Sequence, residues 1–264
     1  MWQFAGACVL VVVLYMTVVF LVCWWKRNNG LVDIGWGLGF VVLGWWAWFN
    51  RQYPEVSSAL WIQGMVTLWG LRLAGYLFRR NWNKPEDWRY AQWRAEWGKQ
   101  VVWRSYLQVF MLQGALMLLI ALPVLAAQVT AAAGDWHSWP LLVVGVFLFL
   151  FGWIFEVVGD AQLAAFKQLP ENKGRIMRYG LWRYTRHPNY FGEACLWWGI
   201  FVVSLISAHQ LTDVLLRAVG PVLITFLLLR VSGVVMLEKK YKGNAEYEQY
   251  IQSTNAFIPW PPKR

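Results

Sequence analysis

The 264-residue sequence predicts an all-α, polytopic membrane protein of seven transmembrane helices, with its N-terminus outside and its C-terminus in the cytosol. Three observations carry that prediction. The composition is 58% hydrophobic and 18% aromatic with a mean hydropathy of +0.37. Seven apolar segments, near 4–25, 31–49, 59–78, 105–127, 140–159, 190–208 and 213–236, approach the roughly 17–25 helical residues that cross a hydrocarbon core of about 30 Å. Lys and Arg fall in alternate loops, as the positive-inside rule requires.

The first span is followed by Lys26 and Arg27; it lacks a basic leader and a small-residue cleavage site, so it is expected to be retained. The second works only if Asp33 enters the membrane or lies at its edge. Asp33 is open to two readings, a helix N-cap or an acid facing a cavity and able to donate a proton. Gly35-Trp-Gly-Leu-Gly39 has the look of a nucleotide fingerprint but no strand before it, and reads as close helix packing. The third span carries Arg72 about two turns from its cationic end. There it either snorkels or points inward to pair with a carboxylate or a ligand phosphate.

The stretch Arg79–Tyr90 is too polar to span and too aromatic for a linker. It reads either as a segment folded against the bundle mouth, with Trp82 and Tyr90 stacking on a base and Arg80 or Arg89 on phosphate, or as a helix on the membrane surface. Basic residues continue through Arg94, Lys99 and Arg104 into the fourth span, whereas the opposite loops hold Arg51 alone or, from Gln128 to Pro140, no Lys or Arg; Arg217 lies near the opposite end of span seven. In span five, Glu156 and Asp160 are one turn apart, with Lys167 seven residues on. Asp160 is either in a structural ion pair with Lys167 or an acceptor for ribose hydroxyls.

The most informative stretch is Gly180–Glu193, where the basic loop from Lys167 to Arg186 meets the sixth span. Polar groups run into the first turn of that helix, where each is costly and functional by default. Pro188 suits the first helical position. The exposed N–H groups and the positive dipole end beside basic side chains suit a phosphorylated ligand. Arg230, Glu238 and Lys239 add charge near the end of span seven. Charges from four helices at one face imply a cytosol-facing pocket.

These placements set aside nucleic acid as partner, although the formal charge is +10. The basic loops answer to orientation and anionic lipid. Cys8, Cys23 and Cys195 are odd in number, fall in spans and lack metal-ligand spacing, so they are read as small core residues and no metal is expected. The chain is read as one integral-membrane domain, monomeric, with residues 1–104 serving the substrate and 105–264 the cofactor.

The run Arg183-x-x-Arg186-His-Pro-Asn-Tyr-x-Gly-Glu193 resembles the C-terminal signature of the steroid 5α-reductase family. Leu237-Glu-Lys-Lys-Tyr241, Glu246-Tyr-Glu-Gln-Tyr250 and Phe257-Ile-Pro-Trp260 are similar to the end of that domain. Asp33-x-x-Trp36, Trp69-Gly-Leu-Arg72 and Asp87-Trp-Arg-Tyr90 resemble a bacterial branch of membrane proteins of unknown function. The resemblance implies a seven-helix reductase that takes hydride from NADPH without a Rossmann domain. It places Asn189, Tyr190 and Glu193 on the cofactor, with His187 beside them, Asp160 on a ribose hydroxyl, and Arg72, Lys167, Arg178 and Arg183 on phosphates. Asn81, Arg89, Tyr90, Glu238 and Tyr241 complete the implied cofactor shell.

By the same resemblance Asp33 stands where the family has its catalytic acid, Glu193 joins it in the catalytic set, and Trp36 and Trp69 line the substrate cavity. The sequence departs where vertebrate members carry a Gln-Glu pair in span two and a Tyr three residues before the Arg; here stand Val32-Asp33 and Trp69. The implied reaction reduces the C=C bond of a lipophilic enone, a 3-oxo-Δ4-steroid, in a bacterial inner membrane with the cofactor site toward the cytosol. The His-Pro-x-Tyr-x-Gly core also resembles membrane S-adenosylmethionine-dependent methyltransferases of the isoprenylcysteine and phospholipid type, which is the alternative. Six cations, Arg72, Arg80, Arg89, Lys167, Arg178 and Arg183, suit the phosphates of NADPH better than a cationic sulfonium.

Overall fold

The computed structural model describes residues 2–53, 57–130, 138–239 and 241–263, and every regular element among them is helical. The helices are α1 (Trp2–Trp25), α2 (Val32–Phe49), α3 (Ser57–Asn81), α4 (Trp88–Trp97), α5 (Val101–Ser105), α6 (Leu112–Ile120), α7 (Leu122–Val129), α8 (Ser138–Gln168), α9 (Pro188–Ser204), α10 (Leu211–Phe226), α11 (Val234–Lys239) and α12 (Ala245–Ser253). A π-helical stretch, Tyr106–Met111, joins α5 to α6, and another, Leu227–Val231, follows α10.

Seven spans are expected from the sequence; among the described residues five helices are long and apolar enough to cross a membrane. They are Trp2–Trp25, Asn29–Phe49, Ser138–Gln168, Pro188–Ser207 and Leu211–Lys239. A sixth arises if Trp88–Ile120 and Leu122–Val129, bent by 53°, count as one. Pro123 in the first turn of α7 explains the bend, since it has no N–H to continue the ladder. The remaining segment is α3. Its 25 residues reach about 37 Å, but Gln63, Thr67 and Arg72 leave it less apolar than the others.

The chain divides into two compact units: Met1–Asp135 with Ser204–Val219, and Trp136–Val203 with Gly220–Arg264. In the first, α2 and α3 pack backbone to backbone. A Cβ on Gly37 would lie 2.7 Å from the Gly70 carbonyl, and one on Gly70 would lie 2.5 Å from that of Gly37. Gly39 gives way to Met117 and Gly35 to Val19, so the glycines expected to serve close packing do so. Phe20 meets Tyr106 and Phe110 edge-on at 5.2 Å in each case, seating the first π-helical stretch against α1. All three cysteines are unbridged, Cys8 and Cys23 buried and Cys195 half-buried.

Arg217 is fully buried in the same unit. It donates to the Ser204 and Ser207 carbonyls and to the hydroxyls of Ser207 (2.9 Å) and Thr130 (2.9 Å). Its charge therefore faces two carbonyl dipoles rather than solvent. It ties the end of α7 to the turn before α10.

The second unit is built on a seven-residue glycine repeat. Gly145, Gly152 and Gly159 on α8 meet Gly199, Gly192 and the start of α9. A Cβ on Gly199 would fall 2.6 Å from the Gly145 carbonyl, one on Gly192 2.6 Å from the Glu156 nitrogen, and one on Gly159 3.2 Å from that of Asn189. A strict period of seven keeps one helix face against its partner, and small residues let the backbones approach. The seam sets buried Glu156 and Asp160 of α8 beside the first turns of α9.

Alanine at Gly152 or Gly192 should therefore force α8 and α9 apart, at about 1–3 kcal/mol each. Thermal melting in detergent checks this, with Gly6→Ala, where nothing lies within 4 Å, as the neutral control. Melting of Gly152→Ala at the unaltered temperature would mean that the seam does not exist.

A candidate phosphate-and-aromatic pocket in the second unit

The basic loop after α8 folds back because polar side chains pin it there. Asn172 Nδ2 donates to the Phe166 carbonyl (2.9 Å), Gln162 accepts from Leu181 N–H (3.0 Å), and Trp182 Nε1 donates to the Gly159 carbonyl (3.0 Å). Gly174 and Gly180 turn with φ of +84° and +59°, a region that favours glycine. Between this loop and the C-terminal segment lies a cavity of about 670 Å³.

Its rim is basic, with Lys167, Lys173 and Arg175; its inner wall holds Ile176, Met177 and Trp182, faced by Tyr241, Tyr247 and Tyr250. Tyr241 stacks on Tyr247 at 4.7 Å, and Tyr247 meets Tyr250 edge-on at 6.0 Å. Burial pushes the phenols of Tyr247 and Tyr250 above their ordinary range, so both stay neutral donors at physiological pH. Tyr250 donates to the Trp182 carbonyl. Cations at the mouth and ring faces within suit a phosphorylated, flat, aromatic ligand.

The back of the cavity is closed by a buried charge cluster. Arg186, 7% exposed, binds Glu238 Oε1 through Nε and Nη2, both at 2.9 Å, and reaches the carbonyls of Ile251 (3.3 Å) and Thr254. His187 Nε2 shares the same oxygen at 3.2 Å, and its ring lies parallel to Tyr190 at 5.4 Å. Beside the seam, Asn189 Nδ2 donates to Asp160 (3.2 Å), while Asn189 Oδ1 is shielded without a protein partner. A shielded acceptor of that kind calls for a donor from water or ligand.

The sequence-derived residues are thus divided. Lys167, His187 and Tyr241 line the cavity. Asn189 and Tyr190 sit in the first turn of α9, Glu193 follows one turn on, and Asp160 faces Asn189 from α8. Glu238 is engaged by Arg186 and His187, and Arg178 by Glu246 at 2.8 Å. Arg183 lies outside the lining. Lys173, Arg175, Tyr247 and Tyr250 line the cavity too; in the sequence they belong to the basic loop and to the motif Glu246–Tyr250 without being marked as site residues. The two cations look like ordinary orientation charges there, and the signals for the tyrosines are that motif and their i, i+3 spacing on amphipathic α12.

In the first unit, Asn28 caps the short 3-10 turn Asn29–Leu31 that leads into α2, its Oδ1 accepting from Gly30 N–H at 3.0 Å, and Leu31, not Asp33, stands at the N-cap of α2. Asp33 sits in the first turn of α2, in the field of Arg89, Arg80 and Asp87. Glu86 holds the polar segment against that turn, accepting from Asn29 N–H (2.6 Å) and from Arg94 twice at 2.9 Å. Asp87 caps α4 and binds Arg89 at 2.8 Å. Tyr90 is buried, packed on Trp93 at 5.5 Å. Asn81 accepts from Arg80. Arg72 lies 5.3 Å from the Tyr76 ring; Trp36 and fully buried Trp69 both pack edge-on against Phe40, at 5.2 and 5.4 Å.

A family model described as "Protein of unknown function (DUF1295)" matches residues 19–254. An uncharacterised protein of Schizosaccharomyces pombe is 22% identical over 214 residues, 72% of this chain and 61% of its own length. Two relatives named 3-oxo-5-alpha-steroid 4-dehydrogenase 1 match over shorter stretches. That of Mus musculus is 32% identical over 78 residues, 30% of this chain and 31% of its length. That of Bos taurus is 33% identical over 78 residues, 30% of each. The chain thus spans less than two thirds of the length of these relatives.

Removing Glu238 leaves Arg186 buried and uncompensated, so Glu238→Ala should cost about 3–5 kcal/mol. In the double variant Arg186→Ala/Glu238→Ala part of that loss should return. Melting temperatures of the two singles and the double form the cycle; strictly additive losses would show that the two do not interact.

Proposed function

We propose that this chain, which belongs to that family of proteins of unknown function, is an integral-membrane reductase that uses NADPH to reduce the C=C bond of a lipophilic, steroid-like enone. The observation that carries the reading is the cavity of about 670 Å³ with Lys173 and Arg175 at its rim and Trp182, Tyr247 and Tyr250 within. Its donor set fits the adenosine and phosphates of a dinucleotide, and the shielded Asn189 Oδ1 fits a carboxamide or hydroxyl donor. The local similarity to steroid dehydrogenases supports the same chemistry.

In this reading Lys167, Lys173 and Arg175 hold phosphates, the aromatic wall holds the base, and Asp160, Asn189 and Glu193 orient ribose or carboxamide. When bound, NADPH supplies a hydride. Asp33 holds a proton at the substrate ketone oxygen, where negative charge develops as the β carbon is reduced; return of a proton to the α carbon completes the saturation. Arg80 and Arg89 set the field around that acid. Trp36 and Trp69 shape the apolar surroundings, and the nucleotide enters from the cytosol.

Thermal shift of the detergent-solubilised protein with NADPH, NADH and S-adenosylmethionine tests the assignment. NADPH should stabilise it most, and Arg175→Ala should weaken NADPH at least tenfold while barely altering NADH. Stabilisation by S-adenosylmethionine with indifference to NADPH would replace the reading with methyl transfer. Asp33→Asn should abolish enone turnover with NADPH affinity within about threefold; normal turnover would remove Asp33 from the chemistry.

A further inference from the structure

The cavity wall formed by Leu237, Tyr241, Tyr247 and Tyr250 belongs to a segment anchored separately from the rest of the cavity. At its start the last long helix breaks. After α10 the chain passes through the π-helical stretch Leu227–Val231, Ser232 N–H closes on the Leu227 carbonyl at 2.9 Å, and α11 begins at Val234. Gly233 lies at the break, so close to the Leu228 carbonyl that a Cβ there would collide with it. π-Helical turns and glycines are the places where helices bend. A left-handed glycine, Gly243 with φ of +83°, precedes α12.

At its far end the segment is pinned to the basic loop through the backbone. Arg186 N–H donates to the Asn255 carbonyl (2.9 Å), Trp260 N–H to that of Tyr184 (2.9 Å), and the Thr185 hydroxyl to that of Phe257 (2.8 Å). Between these anchors the segment is held by ionic clasps, one buried, Glu238 with Arg186 and His187, and one half-exposed, Glu246 with Arg178 at 2.8 Å. Arg186 lines the cavity, yet its charge is already answered by Glu238. It serves as a holding group rather than a phosphate ligand.

From these placements we propose that α11 and α12 form a strap across the nucleotide pocket, hinged at Gly233, and that release of the Glu238 and Glu246 clasps admits and discharges the nucleotide. The proposal rests on the nucleotide reading for its cargo, but the strap is a property of the chain itself. A ligand between the loop and the tyrosines is enclosed by two pieces of chain that meet through the two clasps, the Tyr250 bond to the Trp182 carbonyl and the packing of Ile176 on Tyr247 and Tyr250. Closure then sets both exchange rates, while affinity is set by the contacts made once closed.

The test joins the half-exposed clasp covalently. Arg178→Cys/Glu246→Cys, linked by a reducible bifunctional thiol reagent, should slow both association and dissociation of NADPH at least tenfold, read by stopped-flow nucleotide fluorescence. The Kd should stay within about threefold, and reduction should restore the rates. Equal rates with and without the link would overturn the strap. If NADPH binds neither form, the nucleotide reading falls and hydrogen exchange of the protein alone judges the strap. Amides of α11 and α12 should then exchange as one unit, at least tenfold faster in Glu238→Gln, with α8 and α9 unchanged as the control for folding. Exchange of α11 and α12 at the rate of α8 in both proteins would overturn it.

Discussion

Helices surrounded by hydrocarbon gain little from turning apolar side chains toward each other, because lipid tails are as apolar as leucine. What brings them together is close backbone approach, and in each unit glycine provides it. Gly37 against Gly70 fixes α2 on α3, and Gly145, Gly152 and Gly159 fix α8 on α9. The polar groups along α8 and the first turn of α9 are placed by that seam. Glu156 and Asp160 occupy α8 between and beside its glycines, so Asp160 can reach Asn189 only while the backbones touch. Trp182 hangs the basic loop from the carbonyl of Gly159, a seam residue.

The many cations of this chain do not share one job. Arg94 is committed to Glu86, Arg178 to Glu246, Arg186 to Glu238, and Arg217 to carbonyls and hydroxyls. Burying a charge is costly unless it is paired, so Arg186 and Arg217 in particular are held by their partners rather than available to a ligand. Lys173 and Arg175 differ. They stand exposed at the rim of the cavity, outside those ion pairs. A surface cation contributes little to folding, so these two are set apart from the paired cations by their place over an aromatic wall.

Much of this was legible in the sequence. Helical class, the close-packing role of Gly35, Gly37 and Gly39, and the folding-back of Arg79–Tyr90 all follow from residue type and spacing. The cavity residues Lys167, His187 and Tyr241 are likewise among those singled out. What was not legible has physical causes. Hydropathy reads α3 as an ordinary span, whereas Gln63, Thr67 and Arg72 make it more polar than the other spans. Asp33 lies inside the first turn of α2, whose N-cap is Leu31, because a short turn capped by Asn28 precedes the helix. Charge counting cannot distinguish Arg178, which is paired, from Arg175, which lines the pocket, because that difference is made by where Glu246 falls once α12 has docked.

The Arg186–Glu238–His187 cluster shows why a motif can be legible while its roles are not. Arg-His-Pro at the start of α9 reads as ligand-binding, since polar groups in a first helical turn are expensive. Here two of those groups converge on one carboxylate from a helix fifty residues later. The expense is met within the protein, and its return is the placement of the C-terminal segment rather than a bond to ligand. Asn189, two residues further on, behaves the other way: one end of its amide is satisfied by Asp160 and the other is shielded and unmet. Within a single helical turn, then, polar groups of the same motif differ in whether the described residues already answer them.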